Sequence, residues 1–317
     1  MKVLVTGATG YVGSRLVPEL VEHGHEVYAA VRRDGAAEEF PWAEDVTPRR
    51  FDITEPDLIR SAVEGMDAVV YLIHSMDSQD FVAKDREAAE HVAGACAEAG
   101  VGRLVYLSGL IPDAELSDHL RSRLQVEEVF LEGSVPATVL RAAMVIGAGS
   151  TSFEILKRLT QRMPFAPIPT WMRSKLQPVT IEEVVVCIAG ALDGEPHDRH
   201  YDIGGNDVVT YPELLRAMAE ALGVRRPHVV VPGIPRVVAG RATSLITGMD
   251  SNTVTALVDS LSHDMVCGED DADRDLMPAD YRSVPLAEAL RRSLDDGGDE
   301  GTTRAGDVQT PAATDPS

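Results

Sequence analysis

The feature that most constrains the fold lies at the start of the chain. An apolar run, Lys2–Thr6 (KVLVT), leads directly into Thr6-Gly7-Ala8-Thr9-Gly10-Tyr11-Val12-Gly13. A stripe of Val12, Leu16, Val17, Leu20 and Val21 follows at helical spacing. A short apolar run ending in glycine is the pattern of a buried parallel strand, and the stripe is that of a helix packed against it. The GxxGxxG spacing suits the turn between them. Gly7 permits a tight turn, Gly10 lets the backbone approach a pyrophosphate, and Gly13 lets the helix lie close on the sheet. The helix N-terminus then directs unpaired N–H groups and a partial positive charge at the phosphates. Strand, turn and helix in this order mark a dinucleotide site rather than glycines kept only for packing.

Strand-like and helix-like segments continue to alternate through the first half. Glu26–Val31 and residues 49–53, 67–73, 103–108 and 137–141 read as strands, with helices over 55–63, 81–99 and 117–132. The alternation predicts an α/β fold, a doubly wound parallel sheet of the Rossmann kind, followed by a smaller C-terminal substrate lobe. In the second half, 153–162, 181–192 and 211–222 read as helices, as does 236–266 with a break near Gly248. Residues 163–171, with three prolines, read as a loop. The expected organisation is a core over 1–150, a lobe over 151–294 interleaved with it, and a tail over 295–317. The tail has almost no large apolar residues, so it is expected to be disordered: too little surface is buried to offset the entropy of ordering it.

The end of the second strand tests the nucleotide. It reads Val31-Arg32-Arg33-Asp34. Two guanidinium groups suit a ribose 2′-phosphate and favour NADP, while Asp34 leaves NAD open. Asp52 and Ile53 are placed to meet the adenine edge, with Asp52 as a helix cap the competing reading. His74, heading His74-Ser75-Met76 after the fourth strand, either faces the cofactor or packs as a cap. His197 and His200 flank Asp198 in a polar loop, and no metal site is expected there. Cys96, Cys187 and Cys267 are far apart with no CxxC, so neither a disulfide framework nor a zinc knuckle is suggested. No GxSxG elbow accompanies Ser108 and His119, which argues against a hydrolase triad.

The net charge is −22, from 29 basic and 51 acidic residues, and only Lys2, Lys84, Lys157 and Lys175 are lysines. So anionic a chain disfavours nonspecific binding to nucleic acid or anionic lipid. The composition fits a GC-rich source or adaptation to high salt. No apolar run is long enough to span a membrane and no basic leader precedes the first strand, so a cytoplasmic protein is expected.

Together, TGATGYVG, Arg32-Arg33, FDI (51–53), YLIHS (71–75), LVYLSG (104–109) and LRAAMVIG (140–147) resemble the short-chain dehydrogenase/reductase superfamily. The likeness is to its extended and atypical branches, including NAD(P)H-binding proteins similar to the Rossmann-fold accessory subunit of respiratory complex I and NmrA-type sensors. The resemblance implies a sheet of about seven strands. Gly7, Thr9, Gly10, Tyr11, Val12 and Gly13 would cradle the nucleotide, with Leu72, Ile73 and His74 along it. It puts Ser108 at the catalytic serine position and residues 142–147 beside the nicotinamide. The family's Tyr-x-x-x-Lys-x-x-x-Glu aligns with His119, Arg123 and Glu127, so the usual tyrosine and lysine are missing. Either His119 substitutes as acid and base while Arg123 holds the ribose, or the site is vestigial.

Three functions are therefore weighed. The first is an NADP(H)-dependent oxidoreductase acting on an apolar carbonyl, enone or quinone. The second is a noncatalytic NAD(P)H sensor or assembly subunit. The third is a sugar-nucleotide epimerase or dehydratase, weakened by the same missing tyrosine. Residues 164–173 either line a substrate mouth or pack as a lid. Residues 234–266 either cap an apolar pocket or form a homodimer face or plain core. A protein partner is the further possibility.

Overall fold

The computed structural model describes residues 1–74, 80–261, 263–295, 301–303 and 306–315; the side chains of Asp259 and Ser260 are not described, and the Ser75-Met76 expectation falls outside these residues. The first half folds as β1 (Lys2–Thr6), α1 (Tyr11–Glu22), β2 (Glu26–Val31), β3 (Thr47–Arg50), α2 (Pro56–Val63), β4 (Ala68–Tyr71), α3 (Phe81–Ala99), β5 (Arg103–Gly109), α4 (Asp118–Leu131) and β6 (Ala137–Ala142). The second half begins β7 (Val145–Ile146), α5 (Thr151–Arg162), β8 (Ala166–Pro169), β9 (Lys175–Leu176), β10 (Val179–Thr180), α6 (Ile181–Asp193) and β11 (Arg199–Ile203). It continues β12 (Val209–Thr210), α7 (Tyr211–Ala221), β13 (His228–Val231), α8 (Arg236–Thr247), α9 (Ser251–Ser260), α10 (Asp271–Asp275) and α11 (Leu286–Ser293).

Seven parallel strands form the central sheet in the order β11-β6-β5-β4-β1-β2-β3, the doubly wound α/β arrangement expected from the sequence. The pleat explains why β1 is apolar on both sides. Val3 and Val5 meet Leu16, Leu20 and Ile188 of the α1–α6 layer, while Leu4 meets Ile59, Val92 and Phe130 of the α2–α3–α4 layer. Each such buried aliphatic side chain contributes about 1.5–3 kcal/mol. Strand order reverses between β1 and β4, and there the carboxyl ends of the strands diverge around a crevice.

The second half supplies α6 and β11 to this core and builds a lobe beside it. Phe153, Leu156, Tyr211, Leu214, Met218 and Leu290 form the lobe's own apolar centre. One segment read as a loop contains a strand: β8 pairs in parallel with β13 despite Pro167 and Pro169. The two prolines alternate along a two-stranded ribbon, where their missing N–H groups fall on the unpaired side, while Ala166 N donates to Pro227 O at 2.9 Å.

Beyond Asp295, residues 301–303 and 306–315 of the tail are described. Its described residues lie against α1 and β7. Asp315 makes a two-pronged ion pair with Arg15 at 2.7 and 2.9 Å, and Gln309 donates to Ile146 O and to Ser293 Oγ, both at 2.9 Å. Counting apolar residues missed this because the tail docks through polar groups. Arg15 and Gln309 are both fully buried.

Candidate functional site

The turn after β1 is shaped by its glycines. Gly7 sits at φ +72°, and its carbonyl accepts from Gly10 N at 2.9 Å. A Cβ on Gly13 would lie 2.2 Å from Gly7 O and 2.8 Å from Ala8 Cα, so only glycine lets α1 start this close to the strand. Thr6 fixes the neighbouring strand. Its Oγ1 donates to Val70 O and accepts from Leu72 N, each at 3.2 Å, which brings Leu72 and Ile73 beneath Gly7. This backbone cradle fits a dinucleotide pyrophosphate: it is bare of side chains, opens at a helix N-terminus and lies at the strand-order reversal.

A cleft of about 1120 Å³ opens from the cradle. It exceeds the ~300–1,000 Å³ of a typical single-ligand pocket, leaving room for a dinucleotide and a second molecule. Gly7, Thr9, Gly10, Tyr11, Val12 and Gly13 line it at one end, with Arg32, Arg33, Asp52 and Ile53 along one wall. Leu72, Ile73 and His74 form the floor, and Ser108, His119 and Arg123 line the far end. Arg32 and Arg33 are exposed at its rim, while Asp34 turns out toward Arg50 at 3.6 Å. Asp52 acts as a turn cap: its Oδ1 accepts from Thr54 N at 2.9 Å and Thr54 Oγ1 at 2.7 Å, and these bonds hold its carboxyl below the usual range.

The far end is built by β5 and α4. Ser117 caps α4 by accepting from Leu120 N at 3.3 Å. His119, Arg123 and Glu127 then fall on one helix face at four-residue spacing. Glu127 is buried and holds Arg141 of β6 through contacts of 3.0 and 2.5 Å, fixing α4 to the sheet. Arg123 donates to Leu107 O at 3.4 Å, which keeps its guanidinium over the end of β5. The Ser108 hydroxyl is buried beside the phenol of Tyr106, which also meets Arg123. Desolvation, with Arg123 beside it, lowers the His119 pKa to about 3, and Arg123 above all pushes His74 well below the imidazole range. The His119 ring is therefore neutral at pH 7. An unperturbed imidazole titrates near pH 6.5; burial and the adjacent guanidinium take His119 away from that range.

Sequence reasoning missed several cleft residues. Lys84, Glu87 and His91 come from one side of α3, Ser150, Thr151 and Ser152 from the start of α5, and Thr253 and Leu257 from α9. Of these, the polar residues at 84, 87 and 91 in an otherwise alanine-rich helix were the available signal. No helix among the described residues is long and apolar enough to cross a membrane.

Comparison with known proteins agrees with this architecture. A mitochondrial subunit of Arabidopsis thaliana, NADH dehydrogenase [ubiquinone] 1 alpha subcomplex subunit 9, is 28% identical over 244 residues, covering 72% of this chain and 60% of the plant protein. The chain thus spans less than two thirds of that relative's length. Ceramide reductase of Caulobacter vibrioides is 24% identical over 303 residues, covering 91% of this chain and 88% of the relative. Among solved structures, triphenylmethane reductase of Citrobacter sp. complexed with NADP(H) superposes with a TM-score of 0.74 at 21% identity, over 93% of this chain and 100% of that one. Residues 7–157, which hold the glycine turn, both arginines and the β5–α4 end of the cleft, match the profile of a family described as NAD(P)H-binding. This stretch, just under half of the chain, has the Rossmann-type architecture and is similar to NAD(P)H-binding domains.

Proposed function

We propose that the chain is an NADP(H)-dependent reductase of the atypical short-chain dehydrogenase/reductase kind, acting on an apolar carbonyl, enone or quinone. The observation that carries this reading is the convergence of the buried Ser108 hydroxyl, Arg123 and His119 on the same cleft as the glycine turn.

The glycine turn would hold the pyrophosphate, and Arg32 with Arg33 the 2′-phosphate. When bound, a reduced nicotinamide supplies a hydride to the substrate carbon. The chain's own residues then handle the oxygen. Ser108 Oγ–H donates to it, and the Arg123 charge stabilises the negative charge that develops there. His119, neutral, donates an N–H rather than releasing a proton from a cation, so the proton that completes the alcohol comes from water through Ser108 or His119. Tyr106, two residues before Ser108 on the same face of β5, is held protonated by burial, with Arg123 and Ser108 beside its phenol. The names of the relatives, a ceramide reductase and a dye reductase, support an apolar substrate.

A second reading is a noncatalytic nucleotide-binding subunit. It is favoured by an α4 with neither tyrosine nor lysine and by the likeness to a complex I subunit. One experiment separates the two. The protein is titrated with NADPH and NADH by reduced-nicotinamide fluorescence, then mixed with long-chain enones, ketones and quinones while NADPH oxidation is followed. Turnover that falls in Ser108→Ala with NADPH affinity retained supports the reductase. Tight NADPH binding without oxidation of the nucleotide by any acceptor class favours the subunit, and no binding of either nucleotide overturns both.

A further inference from the structure

The negative charge of this chain is not evenly spread. Residues 155–181 contain Lys157, Arg158, Arg162, Arg173 and Lys175 and no acid, and residues 221–249 contain Arg225, Arg226, Arg236 and Arg241 and no acid. The fold brings the two stretches together. β8 pairs with β13, and α8 packs on α5, where Arg158 and Arg162 donate to the carbonyls of Thr247 and Ile246 at the end of α8.

The outer side of this assembly is apolar where a surface should be polar. On α8, Val237, Val238, Arg241, Ala242 and Leu245 form one exposed stripe, with Val237 53%, Val238 54% and Leu245 85% exposed. Val229 and Val230 of β13 and Phe165 before β8 are also exposed. The turn from β13 to α8 is pinned by Trp171, whose Nε1 donates to Ile234 O at 2.8 Å. Five of the six most exposed large apolar side chains among the described residues belong to this 29-residue acid-free stretch.

We infer that this face docks on an anionic phospholipid surface. Glu154 pairs with Lys157 and Arg158, which leaves Arg225 and Arg241, in a stretch without acids, as the cations of the outer side. An exposed apolar stripe rimmed by arginines is the pattern of an interfacial helix that sinks its apolar side to the headgroup boundary while its cations meet lipid phosphates. The overall charge of −22 does not prevent this, because near physiological ionic strength charges beyond about 8 Å are screened and the local patch decides. A second copy of the chain is the poorer occupant. A two-fold contact sets the same patch against itself, and here that would oppose arginine to arginine. The inference does not depend on the chemistry of the cleft, although α9 connects the two: it packs on α8 and contributes Thr253 and Leu257 to the cleft wall.

The test is flotation of the full chain with phosphatidylglycerol–phosphatidylcholine vesicles and with pure phosphatidylcholine vesicles, near physiological salt. The expected result is binding to the anionic vesicles only. Arg225→Gln with Arg241→Gln should weaken it about 25-fold, at roughly fivefold per cation. Val238→Glu with Leu245→Glu should abolish it, with NADPH binding retained in both variants as the check on folding. No binding to anionic vesicles overturns the inference, as does equal binding to both vesicle types. A dimer in sedimentation that Leu245→Glu converts to monomer, without vesicle binding, assigns the face to a second copy instead.

Discussion

The docked tail leads to the sharpest structural prediction. Arg15 is fully buried in α1, and its guanidinium reaches Asp315 at 2.7 and 2.9 Å, Ala148 O at 2.9 Å, Val308 O at 3.0 Å and Thr310 O at 3.2 Å. Three of these partners belong to the tail. Asp315→Ala would leave the charge inside with carbonyls but no counter-charge. Breaking a buried pair this way costs about 3–5 kcal/mol, and the remaining carbonyls place the expected loss near ~3 kcal/mol. For a chain of this size that corresponds to a fall in melting temperature of roughly 5 °C. Urea unfolding of the parent, Asp315→Ala, Arg15→Met and the double variant measures it. The double variant should be more stable than Asp315→Ala alone, because it removes the stranded charge as well. Arg15 also stacks at 4.2 Å on the Tyr11 ring beside the glycine turn, so Asp315→Ala should weaken NADPH binding too. If Asp315→Ala unfolds within ~0.5 kcal/mol of the parent, as an ordinary surface change would, the tail is not docked as described.

Gly13→Ala drives a methyl into backbone that cannot rotate away, so it should destabilise by about 1–3 kcal/mol and abolish the thermal shift with NADPH. Gly94→Ala, in an open helical position of α3 with nothing within 4 Å, should instead stabilise by about 0.5–1 kcal/mol in the same assay. Arg32→Ala should lower NADPH affinity about 10–100-fold and leave NADH affinity nearly unchanged by fluorescence titration. The His119 pKa of about 3 lies below its unfolded value near 6.5, so the unfolded chain binds the extra proton between them. Its contribution to stability is complete above pH 6.5 and is lost as pH falls toward 3; His119→Phe should therefore lose less stability than the parent between pH 7 and pH 5. Equal losses in both proteins would show that the ring is not desolvated.

Much of the fold was legible because its signals are local. The apolar runs, the helical stripes and Gly100 at φ +71° ending α3 each act within a few residues of themselves. The parallel order followed from alternation. Elements specified by distant partners were not legible. β8 exists because β13, some 60 residues later, offers a ladder that two prolines can tolerate, and no property of residues 166–169 alone announces it. The tail is the same case: Asp315 is an ordinary acidic residue until a buried arginine 300 positions earlier makes it a partner.

The cleft divides along the same line. The cradle was readable since close backbone approach demands glycine, and glycine is visible as a letter. The state of His119 was not, because a histidine's charge is set by what surrounds it. Four-residue spacing predicts that His119 and Arg123 share a face, but not that this face is desolvated or that His74 comes under the same guanidinium. Once the three are together, two imidazoles cannot both hold protons beside a permanent cation, and arginine keeps its charge. The far end of the cleft is therefore a single fixed positive charge beside a neutral His119 ring and the Ser108 hydroxyl. Under the proposed reductase reading, that charge and those donors would stabilise a developing oxyanion without the usual tyrosine and lysine.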